Sequence, residues 1–219
     1  MKGLLKKDLA LLANTGKSYV GVLLFCMVLG LVNGEMKQFS LGFLVMMLSL
    51  AALSTFSYDE FDNGMPWMMI LSADRKTYIK EKYLLSVLTG VTGVVLALIL
   101  GMLVFRLDPL QGGEDSVGAI LVSFLFSSGL MLAVMIPAKL KYGSEKSRIF
   151  AIGLVIVVWI AAFAGKYLLE GLGMDLNGIL QSFEGVSDGT VILLLLIFYA
   201  VCMSVSYFCS VRILQKKEF

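Results

Sequence analysis

The sequence predicts an all-α integral membrane protein with six transmembrane helices, and three observations support this fold class. Of the 219 residues, 58% are hydrophobic and only 16% are charged, whereas soluble domains average about 45–50% apolar and about 25% charged residues. Six apolar segments have about the 20 residues that a helix needs to cross a bilayer. Basic residues gather at alternate ends of these segments, as they do on the cytoplasmic side of membrane proteins.

A single transmembrane domain over residues 1–219 accommodates these segments. Residues 1–17 are predicted to form a helix in the membrane interface, ahead of the first span. None of the six spans contains Asp, Glu or Arg, and Lys166, near the end of the fifth, is their only charged residue. The predicted spans cover about 18–34, 39–57, 84–105, 117–138, 149–169 and 190–211.

The distribution of basic residues predicts the orientation. Fifteen of the 18 Lys and Arg residues lie in the N-terminal segment, the loops after the second and fourth spans, and the C-terminal segment, all on one side of the predicted bilayer. Only Lys37, Arg106 and Lys166 lie on the other side. Because positive charge accumulates on the cytoplasmic side, both termini are predicted to be cytoplasmic (N-in/C-in).

Thr15-Gly16-Lys17-Ser18 resembles the end of a phosphate-binding P-loop. The complete motif needs a Gly at position 11, where the backbone curls around the phosphates, and this chain has Leu11. The motif should also follow a buried strand, whereas here it follows an amphipathic stretch and leads into an apolar span. The chain is therefore predicted to lack its own ATP site, and the segment to be a polar hinge at the membrane entry.

Other chemistry is also disfavoured. The chain has no His, the commonest general acid/base and metal ligand, and its three Cys residues lie in apolar spans, where thiols behave as small hydrophobes. We therefore predict no enzyme activity of its own, no disulfide and no metal site. Proton-coupled carriers usually place Asp, Glu or His inside their spans as relay sites. Since these spans have none, energy for uphill transport would enter from outside the bilayer.

The longest cytoplasmic loop, residues 57–83, begins acidic and ends basic around an apolar patch. Asp59 and Glu60 lie at the start of the loop, and Asn63-Gly64 and Pro66 predict a turn before the patch. Two interpretations remain open: an aromatic belt at headgroup depth, or a short helix that docks into a groove on a soluble partner. The patch consists of Trp67, Met68, Met69, Ile70 and Leu71.

Several segments resemble the membrane subunits of bacterial ABC type-2 transporters, in particular the small permeases of roughly 200 residues found in Gram-positive bacteria. The resemblance rests on the opening Met-Lys-Gly-Leu-Leu-Lys-Lys-Asp-Leu-Ala-Leu-Leu, on Ser57-Tyr-Asp-Glu60, and on Arg75-Lys76 with Lys82-Tyr83 ahead of the third span. It covers the whole chain in span count, and the specific motifs in residues 1–12 and 57–83.

The resemblance implies a permease of the bacterial plasma membrane that pairs with a second permease, identical or paralogous, and with two separately encoded ABC ATPase subunits. ATP and Mg would then bind to the partner and not to this chain. The loop between spans two and three would carry a coupling helix that docks on the ATPase, here Asp59, Glu60 and Trp67–Leu71, with Trp67 as its anchor. A smaller second contact would involve Tyr142, Gly143, Ser144 and Glu145.

Two helix patterns carry further predictions. In the N-terminal amphipathic helix, Asp8 falls in the middle of the leucine-rich face, where an unpaired carboxylate is costly. We predict either that it pairs with a basic residue of segment 75–82 or that the helix frays and Asp8 meets water. In span three, small residues recur every four positions and permit close helix packing, more readily within one subunit than between two. They are Thr89, Gly93, Ala97 and Gly101.

The sequence thus predicts the transmembrane permease of an ATP-driven exporter. Because Lys166 is the only charged residue in the predicted spans, the expected cargo is amphipathic or hydrophobic: a membrane-active peptide, a bacteriocin-like molecule or a lipid, with peptide export first. The alternative, from a different class, is a membrane sensor or scaffold that binds a soluble partner without transport.

Overall fold

The computed structural model describes residues 2–32, 36–60, 64, 74–106, 117–171 and 188–217. Within these ranges only the backbone is described at 117–120, 154–155, 158–159, 161–162, 165–171 and 188–195. In this part of the chain the regular structure is helical and contains no strand, which confirms the predicted all-α fold class. The helices, in chain order, are α1 (Lys2–Asn14), α2 (Gly16–Val32), α3 (Lys37–Leu50), α4 (Ala52–Glu60), α5 (Arg75–Leu103), α6 (Val117–Gly171) and α7 (Asp188–Lys216).

Four stretches are long and apolar enough to cross a membrane. They are Lys37–Glu60, in which α3 and α4 run on through Ala51, Arg75–Leu103, Leu121–Gly153 and Leu196–Lys216. A fifth is added if α1 and α2, which meet at a 56° bend, form one broken span. The chain is therefore a helical membrane protein with four to five candidate spans among the residues described.

The count of six predicted spans is not confirmed. Predicted spans two, three, four and six overlap the four long helices. The first corresponds to α2, whose 17 residues rise only about 25 Å, less than the roughly 30 Å hydrocarbon core. The fifth, 149–169, lies in the second half of α6, beyond a break at Gly143, where several side chains lie outside the described set.

The small-residue stripe of α5 lies against α3 within the same chain. A Cβ on Gly93 would come 3.3 Å from the Cα and carbonyl oxygen of Val45, so the two backbones approach more closely than a larger residue would allow. About two turns further along α5, a Cβ on Gly101 would come 3.3 Å from the Leu41 side chain. Thr89 and Ala97, between and beside these glycines, are buried.

Two hydrophobic clusters fill the bundle. One joins α2, α3, the far end of α5 and the start of α6, around Leu44 and Leu100. The other joins α4, the first turns of α5, the middle of α6 and the end of α7, around Phe56, Ile136 and Leu214. The second cluster supports a set of buried charges at the same end of the bundle.

Candidate functional site

Four charged side chains from three helices meet at the end of the bundle. Lys7 and Asp8 come from α1, Asp59 from the last turn of α4, and Lys82 from the second turn of α5. Lys82 pairs with Asp8, and its Nζ lies 2.6 Å from Asp59 Oδ2. Lys7 pairs with Asp59, and its Nζ lies 3.0 Å from Asp8 Oδ1. We call these four residues the charge cluster. It contains one of the two outcomes expected for Asp8, a pair with a basic residue of segment 75–82, and that residue is Lys82.

Neutral groups complete the environment of the cluster. The Tyr78 hydroxyl donates to Asp59 Oδ2 at 2.9 Å, and Lys82 Nζ donates to Thr55 Oγ1 at 2.9 Å. The same ammonium lies 5.0 Å from the ring centroid of Phe56 and 5.2 Å from that of Tyr78, within the range of cation–π attraction. Taking ions out of water costs several kcal/mol each, so these contacts are what make the burial tolerable.

Among the residues described, three members of the charge cluster are closed to solvent and Lys7 is the one that reaches it. The side chains of Asp8, Asp59 and Lys82 are exposed by no more than 3% of their area, whereas that of Lys7 is 36% exposed. Burial lowers the pKa of Lys7, but hydrogen bonds and attraction from Asp59 and Asp8 outweigh it, so its pKa lies above the usual value. Lys7 is therefore charged at neutral pH and holds α1 against α4.

Glu81, next to Lys82 on α5, is a buried residue that sequence reasoning did not single out. Neither of its carboxylate oxygens has a hydrogen-bond partner in the described part of the chain. Local pattern gives little signal for it, because it sits in the charged run Lys80-Glu81-Lys82, which is typical of a solvated face. Its burial is seen only in the folded arrangement of the helices.

A second link connects the end of α4 with the break in α6. The backbone N–H of Ser144 donates to Glu60 Oε2 at 2.6 Å. Gly143, just before it, has φ 80° and ψ 172°, which interrupts the helix. Such dihedrals are nearly confined to Gly, and the Glu60 carboxylate occupies the N-terminus of the helical segment that follows, where the helix dipole favours negative charge.

Further hydrogen bonds join the remaining helix ends. Arg75 Nη1, at the start of α5, donates to the carbonyls of Leu214 and Gln215 in α7 at 2.8 and 2.7 Å. Lys139 of α6 donates to the carbonyl of Leu53 in α4 at 2.7 Å. Since Asp59, Glu60 and Arg75 flank residues 61–73, each side of that loop is connected to other helices.

A polar contact lies deeper in the bundle, between α5, α6 and α7. The Tyr83 hydroxyl is 2.5 Å from Ser206 Oγ and 3.0 Å from Ser210 Oγ. Ser206 in turn donates to the carbonyl of Ala133. Hydroxyls in membrane helices commonly bond to neighbouring helices in this way, so these two serines connect helices to one another.

The structure places the predicted contact residues as follows. Asp59 is buried in the charge cluster, and Glu60 is half-buried on Ser144. The apolar patch, Trp67, Met68, Met69, Ile70 and Leu71, lies outside the described residues. Tyr142 and Glu145 are exposed, and the Tyr142 ring stacks on Phe150 at 5.9 Å. Gly143 and Ser144 are half-buried between them.

A family model described as "ABC-2 family transporter protein" matches residues 3–215, nearly the whole chain. The chain belongs to the ABC-2 transporter permease family. No curated protein and no solved structure matches it. Family membership confirms the resemblance seen in the N-terminal segment and the loop between spans two and three.

This membership makes the chain a transmembrane permease subunit of an ABC transporter. Permeases of this family are generally not catalytic themselves and in general function with an ABC ATPase. In this permease, Thr15-Gly16-Lys17-Ser18 lies at the bend between α1 and α2. The linked helix ends described above therefore belong to the membrane subunit of an ABC transporter.

Proposed function

We propose that this permease is the membrane subunit of an ATP-driven exporter for an amphipathic or hydrophobic cargo, with a membrane-active peptide as the first candidate and a lipid as another. Family membership supports the permease role over that of a scaffold or sensor. The cargo class follows from the predicted spans, in which Lys166 is the only charged residue. A pathway lined by apolar residues accommodates an apolar surface at little cost, whereas an ion or a sugar would lose its hydration there.

The proposed topology has six spans with both termini in the cytoplasm of a bacterial cell. It is supported by contacts between segments that are far apart in the sequence. Lys7 reaches Asp59, Glu60 reaches Ser144, and Arg75 reaches Leu214. In the proposed topology, the N-terminal segment, the described flanks of both predicted cytoplasmic loops and the C-terminal segment share one end of the bundle, as basic-residue counting predicts.

We assign the coupling element to residues 59–71. In this proposal Trp67–Leu71 enter a groove on the ATPase, Trp67 is the anchor, and Asp59 and Glu60 hold the segment to the bundle. The single observation that carries the proposal is that the residues on both sides of the loop, Asp59 and Glu60 before it and Arg75 after it, bond to other helices of the bundle. A force on the loop would pass through Asp59 to α1 and α5, through Glu60 to α6, and through Arg75 to α7.

The assembly would contain two ATPase subunits and a second permease, with ATP and Mg bound by the ATPases. The loop around Tyr142, Gly143, Ser144 and Glu145 would form a second, smaller contact. Because Ser144 is bonded to Glu60, movement of the coupling element would reach this second contact directly.

The test is to co-express the permease with an ABC ATPase from the same genome, purify the complex and measure ATP hydrolysis. Trp67→Ala should weaken ATPase binding about thirtyfold, the effect of removing a buried interface tryptophan worth about 2 kcal/mol. Trp159→Ala, the same change in the predicted fifth span, is the matched control and should retain the ATPase. Elution of each variant by size exclusion checks that it is folded.

Two results would contradict the proposal. If no ATPase co-purifies with the wild-type permease, the transporter role fails and a scaffold or sensor role takes its place. If the ATPase binds Trp67→Ala as tightly as the wild type, the assignment of residues 59–71 fails while the permease role stands.

A further inference from the structure

An open groove of about 710 Å³ lies between α6 and α7. Its volume falls within the roughly 300–1,000 Å³ of small-molecule sites. Its walls are almost entirely apolar, with Leu130, Val134 and Pro137 on one side and Val201, Val205 and Cys209 on the other. Val201 and Val205 are more than half exposed, so no described residue of the chain covers this face of α7.

The length of the groove matches one leaflet of a bilayer. Ahead of the break at Gly143, its lining on α6 extends from Leu130 to Tyr142, and on α7 it extends from Val201 to Ile213, which is about 18 Å of helix in each case. Phe150, beyond the break, adds to the wall. Half of a hydrocarbon core of about 30 Å is about 15 Å. An occupant would therefore extend from the middle of the membrane to the headgroup region.

The groove has a cationic end. Lys141 and Tyr142 line it there, and both are exposed. Lys141 Nζ lies 5.0 Å from the Tyr142 ring centroid, and no carboxylate among the described residues pairs with it. By contrast, Lys82 and Lys139 point their ammonium groups at protein oxygens. A basic residue between two helices at the membrane surface is suited to a lipid headgroup.

We infer that the α6–α7 groove binds an anionic phospholipid, with its phosphate at Lys141 and an acyl chain along Val134, Val205 and Leu130. The occupant must be apolar over about 18 Å and negatively charged at one end, and an anionic phospholipid has both properties. In the proposed orientation of the permease, this lipid belongs to the cytoplasmic leaflet. The binding itself requires neither that orientation nor an ATPase.

The experiment measures lipids retained by the full-length chain, purified without any ATPase. Native mass spectrometry would follow retention from mixed micelles containing phosphatidylglycerol and phosphatidylcholine with identical acyl chains. The wild type should retain phosphatidylglycerol about fivefold over phosphatidylcholine, the preference that one lysine near an anionic headgroup supplies. Lys141→Gln should abolish this preference. Lys146→Gln, at an exposed position outside the groove, is the matched control and should keep it.

A second variant tests the groove itself. Val205→Trp fills its centre and should reduce retention of both lipids, whereas Val20→Trp, at an equally exposed position on α2, should not. Equal retention of the two lipids by the wild type, or equal effects of the two Lys→Gln changes, would overturn the proposal. It would also fail if Val205→Trp abolished a dimer while lipid retention stayed unchanged, since the groove would then be an interface between two copies.

Discussion

Lys82 and Lys141 lie at the same end of the bundle but stabilise their charge in opposite ways. Lys82 is almost fully buried and meets Asp8, Asp59 and a hydroxyl. Lys141 is exposed and contacts a single aromatic ring. The first lysine has exchanged water for protein oxygens, and the second remains available to groups outside the chain. The comparison separates the part of the permease that holds its helices together from the part that meets the membrane.

The difference follows from what surrounds each lysine. Around Lys82, α1 folds over α4 and α5 and excludes water, so a missing partner would leave a charge buried alone. Around Lys141, the lining of the groove is almost entirely apolar, and the ammonium lies beside the Tyr142 ring. The two sites therefore predict opposite responses to the loss of a positive charge.

The largest effect is expected from Lys82→Met. This change leaves Asp8 and Asp59 buried with only Lys7 to neutralise them, and breaking one partner out of a buried ion pair costs about 3–5 kcal/mol. Unfolding of the purified chain in detergent, measured with a denaturant, should show a loss of this size. Lys80→Met, at an exposed position two residues earlier, is the control and should change stability by no more than about 0.5 kcal/mol.

A double variant keeps this prediction testable if Lys82→Met folds poorly. Adding Asp8→Asn removes one negative charge and leaves the Lys7–Asp59 pair, so the double variant should be more stable than Lys82→Met alone. If neutralising Asp8 brought no recovery, the stability of this region would not depend on charge balance.

An intermediate effect is expected from Gly143→Ala. Gly143 lies two residues after Lys141 and beside the carboxylate of Glu60, which follows Asp59 of the charge cluster. The backbone at φ 80°, ψ 172° is strained for any residue with a Cβ, at a cost of about 1–3 kcal/mol. Steric crowding is not the cause, because the new Cβ would lie 3.6 Å from the Glu60 carboxylate oxygens. Gly153→Ala is the matched control: it lies in the same helix with no neighbour within 4 Å of the added carbon.

Unfolding measurements on the two glycine variants decide this point. Gly153→Ala should be neutral or slightly stabilising, since Ala is the better helix former. Should Gly143→Ala prove as stable as Gly153→Ala, the break in α6 would not be fixed by its backbone, and the Glu60–Ser144 link would have to form in a different geometry.

Much of the fold could be predicted because hydropathy is a local signal. Apolar runs located the helices, and the cost of a carboxylate on an apolar helix face gave a basic partner as one of two expectations for Asp8, the other being contact with water. The rest depends on contacts distant in the sequence. Asp8 and Lys82 are 74 residues apart, so the pattern could name the segment but not the lysine. The pairing of Lys7 with Asp59 was missed for the same reason.

The loop around residue 143 shows a different limit. The resemblance implied Ser144 as a contact for a partner protein, which stays a prediction; the structure adds that its backbone N–H bonds to Glu60 within the chain. A backbone donor has no residue-type signature, so only the arrangement of α4 and α6 reveals this bond. At the other end of the chain the signal was local: the polar hinge predicted at Thr15-Gly16-Lys17-Ser18 coincides with the 56° bend between α1 and α2.

The smallest effect on stability is expected from Lys141→Gln, and this expectation sharpens the comparison most. An exposed side chain without an ion pair among the described residues should contribute no more than about 0.5 kcal/mol to folding, so unfolding in uncharged detergent should match the wild type. Repeating the measurement with added phosphatidylglycerol should stabilise the wild type and not the variant, because a ligand that binds only the folded state raises its stability. A loss near that of Lys82→Met in plain detergent would mean that Lys141 also holds helices together. The distinction between the two lysines would then fail.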